Sequence, residues 1–359
     1  MATDLRKDCH TFLSGNSELT PAELFTQMAK WSELHHADHD SYGDGKTIAQ
    51  FEKKIADLLG FEAAVFVISG TMTQPTVLQI ACDERRCRNV ALHDTCHITR
   101  HEGQGYQLQH RFNVLPVGDR YHPWTVQDLK AWPDEIAAAV YELPMRELGG
   151  QLPGWTALQE IKQHCHNENI HLHMDGARLW EAAAFYQHSY AEIANGFDSV
   201  YVSLYKGING LGGSVLLGSQ ALINKAKMWF RRQGGNVFHR TPYVISAAMQ
   251  FDQRLAQMPA LFERTQHIYQ IFNDYDDFEL NPKQPQANML HWYLPISVEK
   301  ANMLRDKMAA DLGIWLGHPQ SAPQPDRSFI EWYVGDRLLN MTDHDLIEIL
   351  EWVNDHVHA

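Results

Sequence analysis

The chain lacks the markers of several protein classes. Its five cysteines (Cys9, Cys82, Cys87, Cys96 and Cys165) are odd in number and contain no C-x-x-C pair, which argues against a disulfide scaffold. No apolar run reaches membrane-spanning length, and the opening MATDLRKDCHTF has no apolar core of the signal-peptide kind. Basic clusters are missing too. Thirty Lys+Arg stand against 44 Asp+Glu, a formal charge of −14, so neither nucleic acid nor an anionic membrane is an expected partner. A cytoplasmic protein is the expectation. With 359 residues, 44% of them hydrophobic, the chain can bury a large core and support two domains.

What is present centres on residues 171–218, HLHMDGARLWEAAAFYQHSYAEIANGFDSVYVSLYKGINGLGGSVLLG. HLHMD reads as a strand. DGARLWEAAAFYQHSYAEIA reads as one helix with Leu179, Ala183, Tyr186 and Ile193 toward one side. SVYVSLYK returns as a second strand. A unit of this kind builds a parallel sheet, so Asp175 and Lys206 fall at the carboxyl ends of nearby strands, on one rim. Such a pair suits pyridoxal phosphate, which needs a lysine amine for its aldehyde and a carboxylate against its ring nitrogen. A sheet-edge salt bridge, or an aspartate capping the next helix, explains the same two residues.

HMDGAR, SLYKG and GGSVLLG together resemble the threonine aldolase and β-eliminating lyase family of pyridoxal-phosphate enzymes. The likeness runs from about Asp40 to Gly235. It implies pyridoxal 5'-phosphate as cofactor and the aspartate-aminotransferase-like fold, fold type I. That means an α/β large domain with a mainly parallel sheet and a small α+β C-terminal domain. The expected division is 1–40, a segment associated with the small domain; 41–255, the large cofactor-binding domain; and 256–359, the small domain.

Further positions follow from the resemblance. In S-G-T before a helix, free amides can hold a dianion, and the family's matching pair makes Gly70 and Thr71 the expected phosphate anchor. His97, with Glu102 five residues on, matches the histidine that stacks on the cofactor ring. Arg178 matches the D-G-A-R arginine used for substrate and cofactor, and Lys206 the lysine that holds the aldehyde. Lys206, His97 and Asp175 form the expected catalytic set, with Ser14 and Arg178 on the substrate. No metal is expected: His35, His36, Asp38, His39 and Asp40 read better as a polar loop.

Two departures stand out. Where the family has a histidine near the substrate hydroxyl this chain has Met145, whose thioether moves no proton. Where it has a carboxylate-clamping arginine this chain has Ser328, and Arg327 would point to the opposite face of the strand. If Met145 faces the substrate, a larger and less polar side chain than threonine's should be preferred, and histidine there should improve threonine cleavage. The resemblance thus implies a lyase cutting Cα–Cβ of a small-molecule β-hydroxy-L-amino acid to glycine and an aldehyde, working as a homodimer or homotetramer. The alternatives are β-elimination or racemisation, or a cofactor-binding homologue with little turnover.

Overall fold

Seven short apolar runs become the strands of one sheet: β1 (Ala63–Val67), β2 (Asn89–His93), β3 (Asn113–Val117), β4 (Ala138–Glu142), β5 (His171–Gly176), β6 (Ser199–Ser203) and β7 (Ser214–Gly218). The structure, a computed structural model, describes residues 2–358. Every residue of β1, β4, β5, β6 and β7 is buried. Unbroken burial of this kind marks a sheet covered on both faces, so continuous apolar runs replace the alternation of a half-exposed strand.

The strand order is β1-β7-β6-β5-β4-β2-β3. β7 runs antiparallel to both its neighbours, and the other pairings are parallel. The carboxyl ends of β4, β5 and β6 therefore lie side by side. Glu142 is in register with Asp175, and Asp175 with Tyr201. The glycine-rich turn before β7 needs its last glycine. Gly213 has φ +89, and a Cβ there would lie 2.3 Å from the Phe66 ring.

The helix Gly70–Arg85 runs over this sheet and joins two apolar clusters. Val77 and Ile80 pack with Val65, Val67 and Leu216, while Leu78 and Ala81 pack with Val90, Leu92 and Val140. Near its start, Pro75 has no N–H to give the helix ladder.

The chain forms two compact units. The larger comprises 19–147 and 151–256, the smaller 1–18, 148–150 and 257–359. In the smaller, β8 (Glu279–Asn281), β9 (Met289–Leu294), β10 (Pro319–Ser321) and β11 (Ser328–Tyr333) form an antiparallel sheet in the order β10-β11-β9-β8. Its core is built on Phe272, Trp292 and Trp332, and Leu13 from the N-terminal segment joins them. Among the described residues no helix is long and apolar enough to cross a membrane.

Two expectations need correction. Of the first forty residues, 1–18 fall in the smaller unit, as expected, and those from Leu19 onward in the larger. Asp40 anchors the end of this stretch in the larger unit. Its Oδ1 accepts from the Arg240 and Thr241 amides at 2.7 and 2.8 Å and from the Thr241 hydroxyl at 2.6 Å, while Oδ2 accepts from the Gly43 amide at 2.7 Å. A buried carboxylate with four donors pins the loop in place. The helix after Asp175 is also two helices, Leu179–Tyr186 and Tyr190–Ala194. Gln187 turns left-handed between them at φ 55, and Ser189 with Glu192 opens the second through a capping box.

Candidate active site

The rim at the ends of β4, β5 and β6 gathers charge in a dry place. Asp175, next to last in β5, is 1% exposed. Its Oδ2 accepts from Gln74 Nε2 at 2.9 Å and its Oδ1 from the Ala177 amide at 3.0 Å. Glu142, beside it in register, accepts from the Arg146 amide at 3.0 Å. Burial first, and the like charge of Asp175 second, push the Glu142 carboxyl above the usual carboxylate range.

Lys206 stands three residues past the end of β6. Burial, then the neighbouring Arg178 charge, push its amine down to about 8, against the opposing pull of Asp175 and Glu142. A lysine so placed has a useful fraction of neutral, nucleophilic amine near neutral pH. Arg178 is the residue before the helix Leu179–Tyr186, and its Nε is buried with no hydrogen-bond partner. Lys206, Asp175 and Arg178 are therefore brought within electrostatic reach of one another, and Glu142 joins them.

The start of the helix Gly70–Arg85 lies close to Tyr201 of β6. A Cβ at Gly70 would sit 2.2 Å from Tyr201 Oη, so only glycine lets the turn pass that ring. Ser69, the residue before the helix, makes no side-chain cap, and both Ser69 and Thr71 are exposed. The first-turn amides and two hydroxyls are thus presented together, a site suited to an anion. An open cavity of about 440 Å³ beside this turn is lined by Ser69, Thr71, Glu102 and Arg111 among others.

His97 opens a single helical turn, His97–Arg100. Its Nδ1 meets Glu102 Oε1 at 3.2 Å. That bond raises His97 above an ordinary histidine against the effect of burial, and Asp175 adds to the rise. One turn on, His101 Nε2 meets Glu147 Oε1 at 2.9 Å, and the His97 and His101 rings lie 5.1 Å apart.

Sequence reasoning missed several of these residues. Gln74 and Tyr201 carried no motif, and only their burial opposite Asp175 and Gly70 reveals them. His101 and Glu147 lie far apart in the chain. Met145 is 1% exposed, its amide bonded to the Gln151 carbonyl at 2.9 Å, so it presents no surface to a substrate. Ser14 lies in the smaller unit, where its hydroxyl accepts from the Tyr333 amide at 2.9 Å. Ser328, in the same unit, is fully buried at the start of β11, and Arg327 pairs with Glu279 at 2.9 Å.

The Beta-eliminating lyase family matches residues 22–293. A solved structure from Listeria monocytogenes EGD-E, a candidate L-allo-threonine aldolase, is 33% identical over 99% of both chains, with a TM-score of 0.91. One from Exiguobacterium sp. 255-15, a candidate aromatic amino acid beta-eliminating lyase/threonine aldolase, is 32% identical over 98% of this chain and 99% of that one, also at 0.91. Low-specificity L-threonine aldolase 1 of Arabidopsis thaliana is 27% identical over 70% of this chain and 73% of its own length. The chain belongs to the threonine aldolase and β-eliminating lyase family, with the fold-type-I architecture of pyridoxal-phosphate enzymes.

Proposed function

We propose that the protein cleaves the Cα–Cβ bond of a β-hydroxy-L-amino acid, releasing glycine and an aldehyde. The observation that carries this reading is Lys206, a half-buried lysine whose amine is pushed down to about 8 beside Asp175 and Arg178. The residues suit pyridoxal phosphate on three counts. The helix start at Gly70–Thr71 offers uncapped donors to its phosphate, Asp175 is a buried carboxylate for its ring nitrogen, and Lys206 is an amine for its aldehyde. Bound there, the group would supply an electron sink for the bonds of the substrate α-carbon.

The protein's own residues do the rest. Arg178, whose buried Nε lacks a partner, holds the substrate carboxylate. Gln74 keeps Asp175 oriented, and His97, fixed by Glu102, would offer its ring to the bound cofactor. The likeness to proteins described as threonine aldolases favours this reaction over elimination or racemisation.

A homodimer, or a dimer of dimers, is the proposed assembly. Tyr42 and Phe238 are each more than half exposed, with ring centroids 5.2 Å apart, and Val237 extends that apolar patch. Light scattering should give at least twice the 41.1 kDa chain mass, and a fully active monomer at assay concentration rules the assembly out.

The reaction is tested with cofactor-loaded protein and L-threonine, L-allo-threonine and phenylserine. Glycine and aldehyde should form in equal amounts. Pyruvate or Cα–H exchange without aldehyde from any of them would overturn the assignment.

A further inference from the structure

Four titratable groups stand in file, Glu102, His97, His101 and Glu147, and His97 is within electrostatic reach of Asp175 and Lys206. Glu102 meets His97 at 3.2 Å, the two imidazole rings are 5.1 Å apart, and His101 meets Glu147 at 2.9 Å. The His101 amide bonds the His97 carbonyl at 2.8 Å, so the rings share one face of the same helical turn. Their surroundings differ. The His97 side chain is paired with a carboxylate only 2% exposed, whereas the His101 and Glu147 side chains are 39% and 33% exposed.

Cleaving a β-hydroxy amino acid requires removal of the hydroxyl proton as the carbonyl forms. Of the side chains near Lys206, Arg146 and Arg178 cannot accept one, nor can the buried thioether of Met145, and the two carboxylates are already engaged, Asp175 by Gln74 and the Ala177 amide and Glu142 by the Arg146 amide. His97 has one nitrogen tied to Glu102 and its ring is assigned to the cofactor face. His101 has what is needed. The Glu147 carboxylate accepts from Nε2–H, which leaves the lone pair on Nδ1, and Nδ1 has no hydrogen-bond partner among the described residues.

We propose that His101, held in this tautomer by Glu147, takes the substrate's β-hydroxyl proton during Cα–Cβ cleavage; the proposal rests on the lyase reading above. The O–H bond breaks, its proton passes to Nδ1, and the oxygen pair forms the C=O of the departing aldehyde. The Cα–Cβ pair stays on the glycine fragment and is quenched there by one proton, so protons and electrons balance. An exposed ion pair placed only for stability would be worth about 0–1 kcal/mol and would do none of this.

The test uses cofactor-loaded wild type, His101→Asn and Glu147→Gln. Aldehyde release from phenylserine should fall about 100-fold in His101→Asn and about 10-fold in Glu147→Gln, within the range of general-base assistance. Cα–H exchange of glycine in D2O involves no hydroxyl, and it should slow at least tenfold less than aldehyde release. A readout apart from turnover is labelling by diethyl pyrocarbonate with peptide mapping. His101 should be modified, and L-serine should protect it more than L-alanine, which differs only by the hydroxyl. Wild-type aldehyde release in His101→Asn, equal losses of cleavage and exchange, or equal protection by serine and alanine each overturn the assignment. A wild type that releases no aldehyde overturns the lyase reading as well, so the two failures are distinct.

Discussion

Gln74 Nε2 donates to Asp175 Oδ2 across 2.9 Å, which ties the helix Gly70–Arg85 to the carboxylate at the end of β5. Both side chains are buried, and the other amide atom, Gln74 Oε1, has no partner. Replacing Gln74 with Leu removes a donor from a buried acceptor but also removes one unsatisfied oxygen. The net loss of stability should therefore fall at the lower end of about 1–3 kcal/mol. Urea unfolding of the cofactor-free protein measures it, and an unchanged midpoint would mean that the bond contributes nothing.

Gly70 faces Tyr201 too closely for any other residue. Gly70→Ala should shift the helix start, destabilise the fold by about 1–3 kcal/mol, and weaken cofactor retention at least tenfold. Equilibrium dialysis of pyridoxal phosphate against both proteins checks this. Wild-type retention in a stably folded variant would show that the turn does not need its close approach.

The lowered Lys206 amine predicts a pH dependence. Charge is disfavoured in the folded protein, so the neutral amine accumulates above about 8, where an ordinary lysine stays protonated to beyond 10. Association of the cofactor-free protein with pyridoxal phosphate should quicken from pH 7 and level off near pH 9. Stopped-flow absorbance gives the rates, and a continued rise through pH 10 contradicts the shift. Borohydride reduction and peptide mapping should then place the label on Lys206 and not on Lys225 or Lys227.

Met145→His should cost stability instead of improving threonine cleavage. The side chain is 1% exposed, so an imidazole there is buried without a partner, at about 1–3 kcal/mol. Thermal unfolding alongside threonine kinetics separates the outcomes. A stable variant with faster threonine cleavage would return Met145 to the substrate pocket.

Local pattern alone determined a good deal about this protein. Apolar runs such as AAVFV and SVYVS read as strands because they are short and rich in β-branched and aromatic residues, and strands they are. Thr20, Pro21 and Glu23 form a helix start, with Thr20 accepting from the Glu23 amide, since a capping box needs only four consecutive residues. HMDGAR and SLYKG carried the family because their chemistry lies within a few positions. Even locally some features stayed hidden. Within TVQDLKAWPDEIA the helix covers only Val126–Lys130 and ends before Pro133, and the left-handed Gln187 that divides the central helix is not a residue type that announces such a turn.

Tertiary structure decided everything that depends on distant partners. Asp40 looked like one of several polar loop residues until Arg240 and Thr241 supplied its donors. Gln74 looked like an ordinary helix glutamine until β5 placed Asp175 against it. His101 gained Glu147, and Met145 lost access to solvent, only when strands and turns far apart in sequence met. The reason is physical. Strand and helix signals are written in spacing along one segment, whereas a carboxylate's donors, a lysine's desolvation and a glycine's clearance are set by whatever the fold packs against them.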